Sequence, residues 1–297
     1  VSRTGSYARR MSAGKRFCEA VRRERPLQVV GVIHAFAAKL AESAGFRAVY
    51  VSGAGVANAA FGKPDLGLTT LDQVAEEVRR ISSVTRLPVL VDIDTGWGRD
   101  LFSGRTMKLM HRAGAAAVQL EDQVDMKRCG HRPGKHLVPV ADMVKRIRAA
   151  VKSRPIRDMG VMARTDAAAV EGLDAAMYRA QQYVQAGADM IFAEALGSLS
   201  AYKKFCQAVK VPVLANMTEF GKTPMLSVKE FRSAGVRLVL YPLSAFRAMN
   251  SAAQEVYQVI RSQGTQKSLL KKMQTRKELY RLLDYQKAER TMDRRLG

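Results

Sequence analysis

The sequence of 297 residues predicts an α/β fold, a (β/α)8 TIM-type barrel in which eight parallel strands close into a ring. Short apolar runs alternate with stretches whose apolar residues recur at helical spacing, and this alternation is typical of βα units around a parallel sheet. Eight such units fit between residues 27 and 261, which is the usual length of such a barrel. A doubly wound open sheet is the competing architecture. The closed barrel is favoured because polar side chains end nearly every strand and converge only in a ring.

Eight short apolar runs predict the strands, since each is followed by polar residues or by a turn. The runs span residues 27–33, 46–51, 88–93, 116–120, 160–163, 189–193, 212–215 and 237–240.

Stretches between these runs show apolar residues at helical spacing and predict helices over 71–81, 107–113, 141–151, 173–186, 199–209 and 228–234. Gly45, Gly114, Gly187 and Gly235 each stand after a predicted helix and before a predicted strand. Glycine accepts the left-handed backbone of a C-terminal cap, so these four residues are predicted to end their helices.

The chain is predicted to divide into three parts. Residues 1–13 lack an apolar period and are expected to form a disordered N-terminal extension, residues 14–262 the barrel, and residues 263–297 a C-terminal helical extension. In that extension, 267–273 and 275–285 have the spacing of amphipathic helices with no strand after them. Their apolar side chains pack either on the same barrel or on a neighbouring subunit, and the pattern leaves both open.

Composition excludes several classes of protein. No apolar run reaches the roughly eighteen residues of a membrane span and no secretory signal precedes a cleavage site, so a cytoplasmic protein is expected. Cys18, Cys129 and Cys206 lie too far apart in sequence for a CxxC pair. The net charge of +22 would attract nucleic acid or anionic metabolites, but the basic residues are scattered and show no nucleic-acid-binding motif.

The segment from Lys127 to Lys135 places Cys129 among basic side chains and glycines, with no apolar residue to bury it. The cations, together with an imidazolium at His131, are expected to lower the pKa of the Cys129 thiol. Cys129 is therefore a candidate acid or base. A solvated basic loop with an incidental cysteine is the alternative. Gly130 and Gly134 suggest hinges of a lid.

Two carboxylates end the third predicted strand. Asp92 and Asp94 are two residues apart, so both project to the same side and form a candidate site for Mg²⁺ or Mn²⁺, which prefer oxygen ligands. Structural carboxylates bonded to amides or arginines are the alternative.

Further polar residues end other strands and are candidates for holding a small anionic ligand. Arg164 is placed to bind a carboxylate through its guanidinium fork. Glu194 is placed to support the metal through water. Asn216 and Thr218 offer neutral hydrogen bonds, and Ser52-Gly53-Ala54-Gly55 allows backbone amides to approach an anion.

With these residues assembled, the chain resembles the isocitrate lyase and phosphoenolpyruvate mutase superfamily over about residues 14–285. The motifs that carry the resemblance are Ser52-Gly53, Pro64-Asp65-Leu66-Gly67, Asp92-x-Asp94, Glu121-Asp122-Gln123, Lys127-Arg128-Cys129-Gly130-His131-Arg132-Pro133, Arg164-Thr165-Asp166, Asn216-Met217-Thr218, Tyr241 to Arg247, and Gln274-Thr275-Arg276. Ala54, Gln119 and Gly134 depart from the family pattern, in which glycine, histidine and asparagine are common there.

The resemblance implies a barrel whose C-terminal helices are swapped between subunits, in a homotetramer. It implies Mg²⁺ held through Asp92 and Asp94 and catalysis by Cys129, His131 and Lys127. Substrate contacts are implied for Ser52, Gly53, Ala54, Asp65, Cys129, Gly130, Arg164, Glu194, Asn216, Met217, Thr218, Arg247 and Arg276.

The implied reaction is a Mg²⁺-assisted, retro-aldol-type cleavage of the tricarboxylate 2-methylisocitrate to pyruvate and succinate, within the methylcitrate cycle of propionate catabolism. Cys129 is then the proton donor to succinate. Cleavage of isocitrate to glyoxylate and succinate is the nearest alternative, and enzymes of phosphonopyruvate or oxaloacetate rank below it. From another class, a basic nucleic-acid-binding protein remains an alternative; membrane partners are not expected.

Overall fold

The structure is a computed structural model that describes residues 11–296. The first ten residues of the predicted N-terminal extension lie outside the described part of the chain. Its last residues, 11–13, lead into the first helix, whose Ser12 side chain caps the helix by accepting a hydrogen bond from the Lys15 amide at 3.1 Å.

Eight parallel strands close into a barrel in sequential order, and the strand pair β1–β8 completes the ring through Leu27 opposite Leu238. The strands are β1 Leu27–Gly31, β2 Ala48–Val51, β3 Val89–Asp92, β4 Ala115–Glu121, β5 Gly160–Thr165, β6 Met190–Ala193, β7 Val213–Asn216 and β8 Leu238–Tyr241. All eight predicted strands, and the closed barrel in place of the open sheet, are confirmed, each boundary within two residues.

Helices connect the strands and surround the barrel. They are α1 Ala13–Arg23, α2 Ala35–Ser43, α3 Gly53–Phe61, α4 Leu71–Ser82, α5 Arg99–Phe102, α6 Arg105–Ala113, α7 Val140–Ser153, α8 Leu173–Gln185, α9 Leu199–Ala208, α10 Val228–Ser233, α11 Ser244–Gln263, α12 Arg276–Leu282 and α13 Tyr285–Leu296, with 3-10 turns at Ala167–Ala169 and Lys267–Lys272. Gly45, Gly114, Gly187 and Gly235 all have positive φ, which confirms that they end their helices.

Two apolar layers hold the fold together. One fills the barrel with side chains such as Leu90, Met162 and Phe192, and Phe17 of α1 packs beneath them at the amino-terminal ends of the strands. The other lies between the sheet and the surrounding helices. The lower end of the barrel is therefore closed by α1, and the polar strand ends face the opposite mouth.

The C-terminal extension differs in part from the prediction. The predicted helix over 267–273 is a 3-10 turn, and the one over 275–285 ends at Leu282 before a further helix, α13, begins at Tyr285. No residue of α11 or α12 is buried in the described chain, so these helices expose apolar side chains. The three-part division of the chain stays a prediction. None of the helices in residues 11–296 is long and apolar enough to cross a membrane.

Candidate active site in the mouth of the barrel

Three buried carboxylates meet at the carboxyl ends of β3 and β4. Asp92 ends β3, Asp94 follows it by two residues, and Glu121 ends β4. One oxygen of each lies within 4.8 Å of the others. The Gly53 amide donates to Asp92 Oδ2 and the Asp94 amide donates to Asp92 Oδ1, both at 3.1 Å. The two predicted acids therefore share one point with a third, Glu121.

Burial and mutual repulsion make this cluster a poor place for negative charge. Burial, and then the charge of Asp94, raise the pKa of Asp92 to about 6. Burial raises the pKa of Glu121 well above its usual range, although Arg164 and Lys127 oppose the shift. Unpaired buried carboxylates cost several kcal/mol each, so the cluster favours a cation.

The donor set fits a hard divalent cation. Asp92, Asp94 and Glu121 offer only oxygen atoms, the ligands that Mg²⁺ and Mn²⁺ prefer. Glu121 Oε2 is buried without a hydrogen-bond partner in the described chain and lies 3.5 Å from Arg164 Nε. The residues present therefore match the metal that the sequence predicts, with Glu121 as an additional oxygen donor beside the two aspartates.

Lys127 supplies a fixed positive charge to the cluster. Its Nζ lies 2.6 Å from Asp94 Oδ1 and 2.6 Å from Asp65 Oδ1, and its side chain is only 4% exposed. Burial alone would lower the pKa of Lys127, but the carboxylates of Asp94, Glu121 and Asp65 outweigh burial and raise it well above its usual value. Lys127 is therefore a permanent ammonium and not a base at neutral pH.

The loop that contains Lys127 and Cys129 is folded into the mouth of the barrel. Lys127, Gly130 and Lys135 are buried and Cys129 is half-buried, although Arg132 is exposed. The alternative of a fully solvated basic loop is therefore wrong. Lys135 Nζ donates to the Gly130 carbonyl and, at 2.9 Å, to Asp166 Oδ1. These two bonds tie the loop to the residue that follows β5.

The Cys129 thiol is less acidic than the sequence suggested. Burial raises its pKa above the usual value, and a hydrogen bond from the His131 backbone opposes only part of this shift. The prediction of a lowered pKa is wrong because desolvation of the thiolate outweighs the attraction of neighbouring cations. At neutral pH the side chain is a protonated thiol, which suits an acid better than a nucleophile.

The His131 ring is held as a neutral imidazole. The Lys222 amide donates to Nδ1 at 3.0 Å, which requires that nitrogen to be unprotonated. Nε2 then carries the proton and faces Glu194 Oε1 at 3.1 Å. The expected imidazolium beside Cys129 is therefore not supported by the hydrogen bonds. A Cβ on Gly221 would stand 2.8 Å from the His131 ring, so the absence of a side chain at Gly221 allows the ring to pack against this part of the backbone.

Arg164, the residue before the last of β5, lies in a buried network of acids. It donates from Nε to Asp166 Oδ2 at 2.9 Å, and Nη2 lies 3.0 Å from Glu194 Oε2. Its guanidinium stacks over the Phe192 ring, 5.1 Å from the centroid. Burial would raise the pKa of Glu194, but Arg164 and the hydrogen bond with His131 outweigh it and lower the pKa to about 2. This pair is a fixed ion pair at neutral pH.

Strand β7 ends in Asn216, beside the same network. Its Nδ2 donates to Glu194 Oε1 at 3.3 Å, while its Oδ1 is buried without a partner among residues 11–296. Thr218 is buried nearby, and its methyl group lies beside Gly221. Met217, in contrast, packs into the apolar layer between sheet and helices. Asn216 and Thr218 therefore offer polar groups, whereas the Met217 side chain serves the core.

The substrate contacts that were predicted nearest the N-terminus lie at the start of α3. Ser52 and Gly53 are buried, and Ala54 is half-buried. A Cβ on Gly53 would stand 3.0 Å from Asp94 Oδ1, so a larger residue would crowd the carboxylates where the helix begins. These residues border the acidic cluster directly.

Two predicted arginines lie outside this centre. Arg247 Nε is 3.6 Å from Glu219 Oε2, and its guanidinium lies 5.8 Å from the Phe220 ring, which is 94% exposed. Arg276 begins α12 beside Tyr280, in the C-terminal extension. The structure brings Arg247 to the rim of the mouth but does not bring Arg276 to it within one chain.

Several residues of the network stand in the quoted motifs but were not predicted as site residues. Asp166 joins Arg164 and Lys135, and Asp122 Oδ2 accepts from the Tyr183 hydroxyl at 2.8 Å. Gln123 Nε2 donates to Glu121 Oε1 at 3.1 Å. Asp122 and Gln123 continue the motif after β4, but their partners are distant in sequence and gave no local signal.

Comparisons with known proteins agree with this geometry. Residues 17–261 match the family model described as phosphoenolpyruvate phosphomutase. The chain is 55% identical to a 2-methylisocitrate lyase of Escherichia coli strain K12 over 95% of this chain and 96% of the relative. Among solved structures, it matches a 2,3-dimethylmalate lyase with TM-score 0.88 and 34% identity, over 97% and 96% of the two chains.

A phosphonopyruvate hydrolase solved in complex with oxalate and Mg²⁺ also shares the fold, with TM-score 0.84 and 27% identity over 97% of this chain and 100% of the other. The resemblance inferred from the sequence motifs is thereby confirmed. This chain belongs to the phosphoenolpyruvate phosphomutase family and, within it, to the group of the 2-methylisocitrate lyases.

Proposed function

We propose that this chain cleaves 2-methylisocitrate to pyruvate and succinate in a metal-assisted retro-aldol reaction. One observation carries the proposal: the loop bearing Cys129 folds over a mouth that holds the cluster of Asp92 and Asp94 on one side and Arg164 on the other. The choice of substrate is supported by the 55% sequence identity of this chain to an enzyme named 2-methylisocitrate lyase.

Binding of the tricarboxylate rests on groups with fixed charge. Arg164 remains a cation because Asp166, Glu194 and Glu121 outweigh the effect of burial and raise its pKa well above the usual value. Its Nε and Nη2 are bound to Asp166 and Glu194, so its fixed positive charge, with the amide of Asn216, orients carboxylates of the substrate. Arg247 at the rim gives a further positive group for an outer carboxylate.

Asp92 and Asp94 would hold a Mg²⁺ or Mn²⁺ ion, with Glu121 as a neighbouring oxygen donor. When bound, the ion supplies Lewis-acid stabilisation of negative charge on the substrate's 2-oxygen. Lys127 adds a second positive charge at Asp94, 2.6 Å away, and so keeps the carboxylates from repelling the anionic substrate.

The bond-breaking step follows from this arrangement. The substrate hydroxyl loses its proton to the carboxylate cluster, its oxygen becomes the keto oxygen of pyruvate, and the carbon–carbon electron pair passes to the succinate carbon. The Cys129 thiol then gives its proton to that carbon. The raised pKa of Cys129 supports this role, because the side chain is protonated before the step.

His131 positions the loop in this account and does not act as the acid. Its neutral ring joins Glu194 to the Lys222 amide, and this fixes the segment that follows Cys129. Lys135 also holds the loop, because its Nζ donates to the Gly130 carbonyl. Both contacts hold the thiol over the mouth and exclude water from it.

Assembly into a homotetramer with swapped C-terminal helices is part of the proposal. Tyr257, Leu270 and Met292 are largely exposed in the described chain, as expected for helices that pack on another subunit. Arg276 would then reach the mouth of a neighbouring barrel. Light scattering of the purified protein tests this, since a monomer would contradict it.

The reaction belongs to the methylcitrate cycle of propionate catabolism, in which a cytoplasmic enzyme is expected. Cleavage of isocitrate to glyoxylate is the nearest competing activity. Nucleic-acid binding rests only on the net charge of +22, which no concentrated basic motif supports.

The experiment is an assay of the purified protein with Mg²⁺ against 2-methylisocitrate and isocitrate separately, detecting pyruvate and glyoxylate. Pyruvate formed from the methylated substrate, lost on chelation and restored by Mg²⁺, is the expected result. Glyoxylate as the dominant product would overturn the substrate, and the absence of either product would overturn the proposed reaction.

A further inference from the structure

A second cavity lies at the end of the barrel opposite the candidate active site. It measures about 460 Å³ and is bounded by α1 and by the amino-terminal ends of β5, β6 and β8. The apolar part of its lining includes Phe17, Val21 and Met190. Five arginines and two aspartates form the charged part, namely Arg22, Arg25, Arg154, Arg157, Arg237, Asp158 and Asp189.

The two aspartates are already engaged. Asp189 Oδ2 accepts from the Val161 amide at 2.8 Å and lies 3.1 Å from Arg154 Nη1. Asp158 Oδ2 accepts from Ser12 at 3.4 Å. Asp189 therefore neutralises Arg154, whereas Asp158 lies 3.9 Å from Lys15 Nζ. The other four arginines of the lining form no ion pair within the described part of the chain.

The four remaining arginines line one cavity and carry the same charge. Among residues 11–296, no carboxylate oxygen lies within 4.0 Å of a guanidinium nitrogen of Arg22, Arg25, Arg157 or Arg237. Arg237 Nη2 donates to the Val21 carbonyl at 2.9 Å, but its Nε is buried without a partner. Burial, and then the charge of Arg25, lower the pKa of Arg237.

We propose that this cavity binds the phosphate group of a small organic anion. Guanidinium forks bind phosphate oxygens in pairs, and an anion here would neutralise the arginines of the lining that form no ion pair. The volume falls within the range of sites for small molecules. Because Phe17, Val21 and Met190 add apolar surface beside the cations, a ligand with both a phosphate and an organic body fits better than a bare ion.

The test is calorimetric titration of the full chain with AMP, with inorganic phosphate and with citrate. The variant Arg22→Gln/Arg157→Gln removes two exposed cations of the cavity, and the single variants replace it if the double variant does not fold. Arg23→Gln is the matched control, since Arg23 is the next residue of α1, pairs with Glu19 and does not line the cavity.

We expect AMP to bind once per chain and the double variant to weaken that binding at least about tenfold, with the control unchanged. Inorganic phosphate should bind more weakly than AMP and respond to the same variants. Three results would overturn the proposal: no AMP binding, an equal loss in Arg23→Gln, or binding that Arg22→Gln/Arg157→Gln leaves intact. Citrate binding as tight as AMP, with the same loss, would overturn the preference for phosphate.

Discussion

Lys127 Nζ lies 2.6 Å from Asp94 Oδ1 in the mouth of the barrel, with almost no exposure to solvent. This contact joins the loop of Cys129 to the carboxylate cluster. It places a positive charge where three buried acids would otherwise repel one another. Lys127 therefore anchors the loop at the mouth of the barrel.

Replacing Lys127 by Met should destabilise the fold and abolish most of the activity. Removal of one partner from a buried ion pair leaves an unpaired charge and costs about 3 kcal/mol of unfolding free energy. Urea unfolding measures the change. Lys145→Met is the matched control, because Lys145 pairs with Asp142 on the exposed face of α7 and should change stability little. Equal stability of the two variants would contradict the role of Lys127.

Gly130→Ala should reduce kcat/KM by at least about a hundredfold, since a small misplacement of the site is enough for such a loss. A Cβ at this position would stand 2.3 Å from Arg164 Nη2 and 2.6 Å from Glu194 Oε2, so the loop must move away from the ion pair. Steady-state kinetics measures the effect. Gly197→Ala is the control, because a Cβ there would meet nothing within 4 Å. Normal activity of Gly130→Ala would show that the loop does not close in this way.

The thiolate of Cys129 should appear only at alkaline pH. Burial raises the thiol pKa in the folded chain, so at a given pH the folded form holds more protons than the unfolded one. Stability from this group is present below the unfolded pKa and is lost as pH rises through the folded pKa.

Alkylation by iodoacetamide in a Cys18→Ser/Cys206→Ser background checks this prediction. At neutral pH the folded protein should react more slowly than the same protein unfolded in urea, and its rate should rise at higher pH. Faster reaction of the folded form at neutral pH would support a lowered pKa instead.

Addition of Mg²⁺ should raise the melting temperature, because a ligand of the folded state stabilises it by mass action. At about a hundredfold excess over Kd the gain is about 2.7 kcal/mol, or roughly 5 °C. Asp94→Asn should lose most of this shift, whereas Asp174→Asn, an exposed residue at the start of α8, should keep it. A shift that survives in Asp94→Asn would place the metal elsewhere.

The strands were predictable because each is a continuous apolar run bounded by polar residues, as buried parallel strands require. Convergence of Asp92 and Asp94 followed from the two-residue period of a strand and the closure of the sheet. The glycines that end helices before the strands were also predictable, since their backbone conformation is a local property. These features depend on neighbours in sequence, and they were read correctly.

The remaining features depend on contacts that sequence patterns do not encode. Lys135 and Asp166 are 31 residues apart, and only the folded loop brings them together. The Cys129 pKa was misjudged because the cations around it were visible in the sequence, whereas its burial was not. The break between α12 and α13 falls at Asp284, which has a positive φ. A positive φ is predicted from sequence mainly at glycine, so this break was not predicted.

In the proposed cleavage of 2-methylisocitrate, the Cys129 thiol protonates the carbanion that becomes succinate. The most direct measurement is pyruvate release by the parent and by Cys129→Ser, with substrate affinity of both measured by calorimetry. Near-complete loss of turnover in Cys129→Ser, with substrate binding retained, is the expected result. Unchanged pyruvate release by Cys129→Ser would contradict it.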